Sequence, residues 1–240
     1  MPSSVQFRDV SVKSILHDIN LTVAAGEAVA LIGRSGAGKT TTLRLVNGLA
    51  QPTLGEVLVD GVGLGNSDLI SLRRRTGYII QGSGLFPHRT VYENVATVPK
   101  LLKWSETDIR SAAEEMMRKL DMPLERFGAR YPASLSGGEQ QRVGIARAMI
   151  AHPTILLCDE PFGALDPIVR RDLQDVFRAL RSGVTILFVT HDLPEAMRVA
   201  ERLVLFEGGR IVSDTPADAF LSQPLPLAQR FVAAASLTPC

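Results

Sequence analysis

The sequence predicts an α/β fold with a parallel-sheet core, an antiparallel β subdomain near the amino terminus and an inserted α-helical subdomain. Three observations support this prediction. An apolar run at 28–32 breaks into a glycine-rich turn and then into a helical pattern. Residues 5–23 contain the apolar and polar alternation of half-buried strands, and apolar residues recur at helical spacing between 109 and 120.

We expect one domain over 1–240, with the core at 1–89 and 151–215, the helical subdomain at 90–150 and a carboxyl-terminal tail at 216–240. The apolar content of 45% is enough for a substantial buried core. Lys+Arg 26 against Asp+Glu 25 leaves almost no net charge, so the chain as a whole does not attract nucleic acid. We therefore expect no nucleic-acid partner.

Cysteine use and hydropathy indicate the compartment. Cys158 and Cys240 suit neither a disulfide framework nor a metal site, which is typical of a reducing environment. No apolar run approaches the ~18 residues of a membrane span, and the polar start MPSSVQFRD is not a signal peptide. These features predict a cytosolic chain.

The glycine-rich turn carries the first chemical motif. It fills the template GxxxxGK[ST], in which successive backbone N–H groups point into one concavity that fits a polyphosphate. Lys39 would reach the β- and γ-phosphates and Thr40 would offer its hydroxyl to Mg²⁺, while the start of the following helix adds its positive dipole end. The expected nucleotide-binding residues of this loop are Gly33, Arg34, Ser35, Gly36, Ala37, Gly38, Lys39, Thr40 and Thr41.

Periodicity and turn signals predict the other elements. Before the helical subdomain they are antiparallel strands within 5–23, a turn at 24–27, a strand at 56–61 that enters an Asp-Gly turn, a short basic helix at 69–75 and a strand at 76–81 that ends on Gln81. After it they are a buried strand at 154–161, a helix over 173–180, a parallel strand at 184–190, a hairpin around Gly208 and Gly209 and a terminal helix beyond Thr215.

The helical subdomain has its own start signals. Thr90 and Glu93 form a capping-box pattern, and Pro99 should interrupt the helix that they open. Ser105 with Asp108 marks the start of the next helix, which is amphipathic.

A second glycine-rich helix start lies in SLSGGEQQRVGIARAMI at 134–150. Ser136 stands where an N-cap residue belongs, and Gly137 and Gly138 begin the helix, so this is a second candidate anion site. Shortly after it, the strand at 154–161 delivers two carboxylates to its carboxyl end, where ligands of parallel α/β sheets bind.

Those two carboxylates suit different tasks. Asp159 suits Mg²⁺, and Glu160 suits a water molecule, because the same chain also carries a phosphate loop.

The motif LSGGEQ indicates a family. From about Val5 to Pro216 the chain resembles the ATP-binding subunit of an ATP-binding-cassette (ABC) transporter. Glu139 stands where many members of that family have Gln and others have Glu. The resemblance implies the P-loop NTPase (RecA-like) fold. The residues that match the family signature are Leu135, Ser136, Gly137, Gly138 and Gln140.

The resemblance also implies that ATP and Mg²⁺ are the cofactors, and it implies roles for individual residues. Catalysis would depend on Glu160, His191 and Lys39. The motif assignments are Gln81 as the Q-loop glutamine, Asp159 as the Walker B aspartate, Glu160 as the catalytic carboxylate, Asp166 in the D-loop at 164–166 and His191 as the switch histidine. The expected metal ligands are Thr40, Gln81 and Asp159, and the expected cofactor contacts beyond the phosphate loop are Gln81, Ser136, Gly137, Gly138 and Asp166.

Partners follow from the same resemblance. A second copy of the ATPase subunit is expected to pack head to tail, so that the phosphate loop of one copy and the signature of the other close on a single ATP. The membrane pore must be another chain, which implies transmembrane permease subunits and, indirectly, a substrate-binding protein. The expected location is the cytoplasmic face of the cell membrane.

Two other functional classes of protein remain as alternatives. A soluble ABC ATPase could serve DNA repair, translation or cluster assembly, although the chain has neither the long coiled coil of repair types nor the two fused cassettes of translation types. A P-loop kinase or other phosphotransferase is the third hypothesis, and LSGGEQ argues against it. The chain departs from the family pattern at 11–20, which lacks an aromatic side chain to stack on adenine, and His17 is a poor substitute.

The expectation about cargo rests on resemblance. GYIIQGSGLFPHRTVYENV followed by LLKW, together with DEPFGALDPIVR, looks most similar to the ATPase subunits of osmoprotectant importers, which carry glycine betaine, choline, carnitine or related quaternary amines. Importers of amino acids or other small solutes are the alternative. Because the sequence ends at Cys240 without the CBS pair that many osmoprotectant ATPases carry, we expect no ionic-strength gating by its tail.

Overall fold

A computed structural model describes residues 1–82, 84–163, 165–222 and 225–236. The strands are β1 (Val5–Val12), β2 (Leu16–Val23), β3 (Ala28–Gly33), β4 (Leu54–Val59), β5 (Val62–Gly63), β6 (Thr76–Ile79), β7 (Ile155–Asp159), β8 (Thr185–Val189), β9 (Arg202–Glu207) and β10 (Arg210–Pro216). The α-helices are α1 (Lys39–Val46), α2 (Leu69–Arg74), α3 (Val91–Val95), α4 (Thr97–Leu101), α5 (Glu106–Lys119), α6 (Leu124–Phe127), α7 (Gly137–Met149), α8 (Pro167–Leu180), α9 (Leu193–Val199) and α10 (Pro226–Ser236).

The contacts divide the chain into two units. The first unit contains Met1–Leu69 with Gly183–Cys240, and the second unit contains Ile70–Ser182. This division differs from the expected helical insertion at 90–150, because β6 and β7 pair with each other and α7 packs against β6. The second unit therefore contains a pair of parallel strands as well as helices.

An antiparallel sheet in the first unit has the strand order β2-β1-β4-β5. Val5 pairs with Val23 on one side and with Val59 on the other, and all three side chains are buried. The turn between β4 and β5 is the expected Asp-Gly pair, with φ of 52° at Asp60 and 76° at Gly61, as a tight hairpin requires. The expected antiparallel β subdomain is thus present.

The first unit also contains four strands in the order β10-β9-β3-β8. β3 runs parallel to both β8 and β9, and every residue of β3 is buried, which is why its sequence is continuously apolar rather than alternating. β9 and β10 form the expected antiparallel hairpin, and α1 packs against β3 and β8. The glycine-rich turn therefore follows the carboxyl end of a central strand, where α/β folds bind ligands.

The second unit pairs β6 and β7 in parallel, from Thr76 with Ile155 to Ile79 with Cys158. Gly77 permits close packing there, because a Cβ on it would lie 2.5 Å from the carbonyl oxygen of Ala148 in α7. Helices α3, α5 and α8 of this unit each pack against α7. α7 is therefore the central helix of the second unit.

Helices α3 to α7 occupy the segment predicted to be helical, and Thr90 and Glu93 form the expected capping box. The Thr90 N–H donates to Glu93 Oε2 at 2.7 Å, and the Glu93 N–H donates to Thr90 Oγ1 at 3.2 Å. The expected interruption at Pro99 is wrong in position, because the break falls at Ala96. Pro99 lies in the first turn of α4, where a missing N–H removes no helical hydrogen bond.

The carboxyl-terminal tail begins as β10 ends, and α10 supplies the expected terminal helix, packed against α9. Ala164 of the expected D-loop and Cys240 lie outside the described residues. Within the described part of the chain, no helix combines the length and the apolar character needed to cross a bilayer.

Candidate functional site

The phosphate loop connects β3 to α1 and depends on two glycines. Gly33 has φ of 146°, and a Cβ there would lie 2.4 Å from the backbone oxygen of Phe206 in the neighbouring strand. Gly38 has φ of 97° in the N-cap position of α1, where a Cβ would lie 2.3 Å from the Leu16 side chain. Only glycine fits both positions, which explains the motif spacing in steric terms.

Lys39 folds back over the loop that precedes it. Its Nζ donates to the carbonyl oxygens of Gly33 at 2.8 Å and Arg34 at 2.9 Å, and the residue is 6% exposed. A buried ammonium needs such acceptors. Because Gly38 has no side chain with which to cap α1 and the first turn of α1 contains no acidic residue, positive charge and helix dipole coincide at this end. This arrangement suits a polyphosphate.

Two more of the expected site residues lie together in the first unit. Arg34 and His191 both line a cavity of about 520 Å³ whose wall also includes Leu193 of α9. Asp192 caps α9 by accepting from the Glu195 N–H at 2.9 Å, so the backbone that follows His191 is held in place.

Helix α10 also lines this cavity, through Leu227, Arg230 and Phe231. Sequence reasoning missed these residues. α10 carries no chemical motif, and the only sequence signal was that the tail forms a helix.

The segment without an aromatic residue forms the turn between β1 and β2. Ile15 in this turn is 42% exposed, and its carbonyl oxygen lies 3.3 Å from the position that a Cβ on Gly38 would take. The His17 N–H donates to the Gly209 carbonyl at 2.9 Å. The backbone of a residue with an exposed aliphatic side chain therefore lies beside the phosphate loop, and sequence reasoning did not name this residue.

The expected metal and water residues of the second unit lie at the end of β7. Asp159 is 6% exposed and Glu160 is half-buried. Burial raises the pKa of the neighbouring Cys158 thiol well above its usual value, and the Asp159 charge adds to the effect, so the thiol stays protonated. The Gln81 amide donates to Glu160 Oε2 at 3.2 Å, which brings two of the expected site residues together.

Glu160 begins a short segment, residues 160–163, that we call the carboxylate loop. Its φ of 47° lies in the left-handed region, which costs a non-glycine residue about 1–3 kcal/mol. Gly163 donates its N–H to the Glu160 carbonyl at 3.3 Å. Phe162 is fully buried and meets Phe177 edge to face at 5.6 Å between ring centroids. The loop is thus strained at its functional residue and anchored after it.

Ser136 caps α7 as expected, in a complete capping box. Its hydroxyl accepts from the Glu139 N–H at 3.3 Å, and its own N–H donates to Glu139 Oε2 at 2.7 Å. The hydroxyl proton of Ser136 is not used in this box, so it can still donate. Gly138 faces α8, because a Cβ on it would lie 2.8 Å from Val169 Cγ1.

Asp166 has a structural contact. One carboxylate oxygen accepts from the N–H groups of Ile168 at 3.2 Å and Val169 at 3.1 Å, which caps α8. A contact with nucleotide stays a prediction for this residue.

The donor set expected for Mg²⁺ fits the ion in its chemistry. Thr40, Gln81 and Asp159 offer hydroxyl, amide and carboxylate oxygens, the hard ligands that Mg²⁺ prefers. A carboxylate as buried as Asp159 is stabilised by a cation or by hydrogen-bond donors.

Known proteins resemble this chain in sequence and in structure. The family model described as ABC transporter matches residues 16–163. The choline transport ATP-binding protein OpuBA of Bacillus subtilis (strain 168) is 46% identical over 214 residues, which is 88% of this chain and 56% of that protein. The glycine betaine uptake system ATP-binding protein YehX of Escherichia coli (strain K12) is 44% identical over 226 residues, 92% of this chain and 73% of that protein. The chain spans little more than half the length of OpuBA.

A solved structure is also similar. The ATP-binding cassette MJ0796, a dimer in a post-hydrolysis state bound to ADP and Pi, aligns with a TM-score of 0.79 at 32% identity, over 89% of this chain and 98% of that one. This similarity confirms the expected P-loop α/β fold class. On the matched family model and the identities with both transport proteins, the chain belongs to the ABC transporter family.

Proposed function

We propose that this chain binds and hydrolyses ATP as the energy-coupling subunit of an ABC importer. The observation that carries the proposal is the phosphate loop, with the buried Lys39 ammonium beside an α1 start that lacks acidic residues. The names of OpuBA and YehX, both transport ATP-binding proteins, support it, as does the ADP and Pi bound to the cassette of similar fold.

Binding starts with the triphosphate. Backbone N–H groups of residues 33–41 and the Lys39 ammonium hold the β- and γ-phosphates, with the α1 dipole favouring the negative charge. Thr40, Asp159 and Gln81 would hold Mg²⁺, which would supply positive charge to neutralise the phosphate oxygens. The Ile15 side chain provides an apolar contact for the base where other members of the family use an aromatic ring.

Hydrolysis is attack of water on the γ-phosphorus, in which a new P–O bond forms while the bond to the β,γ-bridging oxygen breaks, and ADP leaves with that oxygen. Glu160 accepts a hydrogen bond from this water and orients it, and the proton leaves toward the same carboxylate. Lys39 and His191 stabilise the charge that spreads over the transferring phosphoryl group. The left-handed backbone of Glu160 aims the carboxylate, and the Gln81 amide at 3.2 Å keeps it from turning away.

A second copy of the chain completes the site. The Ser136 hydroxyl and the N–H groups of Gly137 and Gly138 donate hydrogen bonds to the ATP held by the phosphate loop of the other copy. When this dimer closes, the segment that follows Gln81 moves the transmembrane permease subunits that it contacts. Those subunits hold the chain at the cytoplasmic face of the membrane, and a substrate-binding protein delivers the cargo to them.

The test of ATPase function is Glu160→Gln. We expect this variant to bind ATP while its turnover falls about 10²- to 10⁴-fold, or about 3 to 5 kcal/mol in barrier, because an amide cannot take up the proton. Glu115→Gln is the matched control, since Glu115 pairs with Lys119 on the surface of α5, and it should keep wild-type turnover. Unchanged phosphate release in Glu160→Gln would remove this residue from the mechanism.

For cargo, we propose a quaternary amine such as choline or glycine betaine, which are the solutes in the names of OpuBA and YehX. Another small solute is the alternative. The measurement is ATP-driven uptake of labelled choline and glycine betaine into vesicles that contain the reconstituted complex. Uptake of an amino acid or a sugar, with neither amine transported, would refute the cargo and leave the ATPase mechanism intact. Copurification of permease subunits separates this proposal from a soluble ABC ATPase, which needs none.

A further inference from the structure

Gln141 lies on α7, about one turn beyond the glycines that follow Ser136. It is 7% exposed, and its Nε2 donates a hydrogen bond to the backbone carbonyl oxygen of Pro161. Pro161 directly follows Glu160. A buried side-chain amide on the central helix of the second unit is therefore hydrogen bonded to the backbone of the carboxylate loop.

The backbone conformation of the carboxylate loop depends on contacts of this kind. Glu160 has φ of 47°, a conformation that persists only when surrounding contacts determine it. Pro161 has no N–H, so its carbonyl is the only backbone group through which it can be hydrogen bonded. On the other side, Phe162 is fully buried against Phe177. Gln141 and Phe162 thus fix the peptide groups that follow the strained residue.

We propose that Gln141 is a positioning residue for ATP hydrolysis. By holding the Pro161 carbonyl it keeps the Glu160 backbone left-handed and its carboxylate aimed at the attacking water. This inference rests on the proposed function, in which Glu160 acts on that water. The same helix begins with Ser136, Gly137 and Gly138, so displacement of the α7 start also displaces the support of the Glu160 carboxylate.

The first experiment is Gln141→Met, which keeps the length and volume of the side chain but removes the donor. We expect kcat for ATP to fall about 10-fold, which is about 1.4 kcal/mol in barrier, while KM for ATP changes less than about 2-fold. The control is Gln174→Met in α8, the other buried glutamine in the described part of this unit, at 5% exposure. It measures the cost of losing a buried amide elsewhere and should keep kcat within about 3-fold of wild type.

The second experiment asks whether Gln141 acts through Glu160. In a Glu160→Gln background, single-turnover assays with labelled ATP and excess protein should show less than about 2-fold further loss from Gln141→Met, because the carboxylate to be aimed is already gone. A further loss as large as in the wild-type background would overturn the inference. So would wild-type kcat in Gln141→Met.

Gln141→Glu is the second variant, should the methionine variant fail to fold. It retains the side-chain size, but an ionised carboxylate can only accept, so the same selective loss of kcat is expected, and a wild-type kcat would overturn the inference. Failure of the proposed function has a different result. If Glu160→Gln retains full turnover, the mechanism itself is wrong, whereas a loss in Glu160→Gln without one in Gln141→Met or Gln141→Glu refutes only the role of Gln141.

Discussion

The two glycine-rich helix starts, at α1 and at α7, look alike in sequence and differ in charge. α1 follows Gly38, which has no side chain, and its first turn contains no acidic residue. α7 begins with a complete capping box, so the Glu139 carboxylate already lies at its amino-terminal end. The helix dipole favours anions at both ends, but only α1 adds a buried ammonium. We therefore expect the α1 start to bind the full charge of a triphosphate and the α7 start to make a weaker, later contact.

The largest expected effect is at α1. Lys39→Ala should weaken ATP binding about 100-fold or more, about 2.7 kcal/mol, because a charge-assisted contact to phosphate is lost before chemistry begins. The measurement is titration with a fluorescent ATP analogue. Lys119→Ala, which removes an exposed lysine paired with Glu115, serves as the control and should bind ATP as wild type does. Equal affinity in Lys39→Ala would count against the phosphate-loop assignment.

A smaller effect is expected at α7. In the Glu160→Gln protein, ATP should drive association, and Ser136→Phe should weaken that association about 10-fold, because a bulky side chain separates the two copies. Size-exclusion chromatography with and without Mg-ATP measures this. Ser105→Phe removes an N-cap of the same kind from α5, where the hydroxyl accepts from the Asp108 N–H at 3.1 Å, and should leave association unchanged. A protein that stays monomeric at every ATP concentration would contradict the head-to-tail model for the isolated chain.

The smallest expected effect comes from Glu139→Gln, which tests the difference in charge between the α1 and α7 starts. Glu139→Gln keeps the capping box, since an amide oxygen also accepts the Ser136 N–H, but removes the negative charge near the approaching phosphate. We expect the ATP concentration for half-maximal association to fall about 2- to 5-fold, in line with about 0.3–1 kcal/mol for a charge at a helix end. Weaker association would show that the charge of Glu139 helps rather than opposes the contact.

Features set by neighbouring residues were predictable from sequence. The capping box at Thr90 and the N-cap at Ser136 depend on contacts within a single helical turn, and the structure confirms both. The buried strands could be predicted from the sequence because turn residues bound their apolar runs. Pro99 was misjudged because a proline in a first turn and one that breaks a helix look identical until the helix start is known.

Contacts between distant segments were not predictable. The hydrogen bond from Gln141 to Pro161 spans 20 residues, and nothing in either local pattern marks it. The left-handed φ of Glu160 has no local signal either, because it depends on packing of the residues that follow. The unit boundaries also depend on which strands pair, and periodicity does not specify pairing.

The two carbonyl contacts of Lys39 have a consequence for release of product. We expect a bound phosphate to take the place of the Gly33 and Arg34 oxygens as acceptor of the ammonium, so that binding exchanges one set of acceptors for another. When the product leaves, the ammonium would return to those oxygens, so that the buried charge keeps acceptors throughout the cycle. Departure of the nucleotide would therefore avoid the desolvation barrier that a lysine without such acceptors imposes on every turnover.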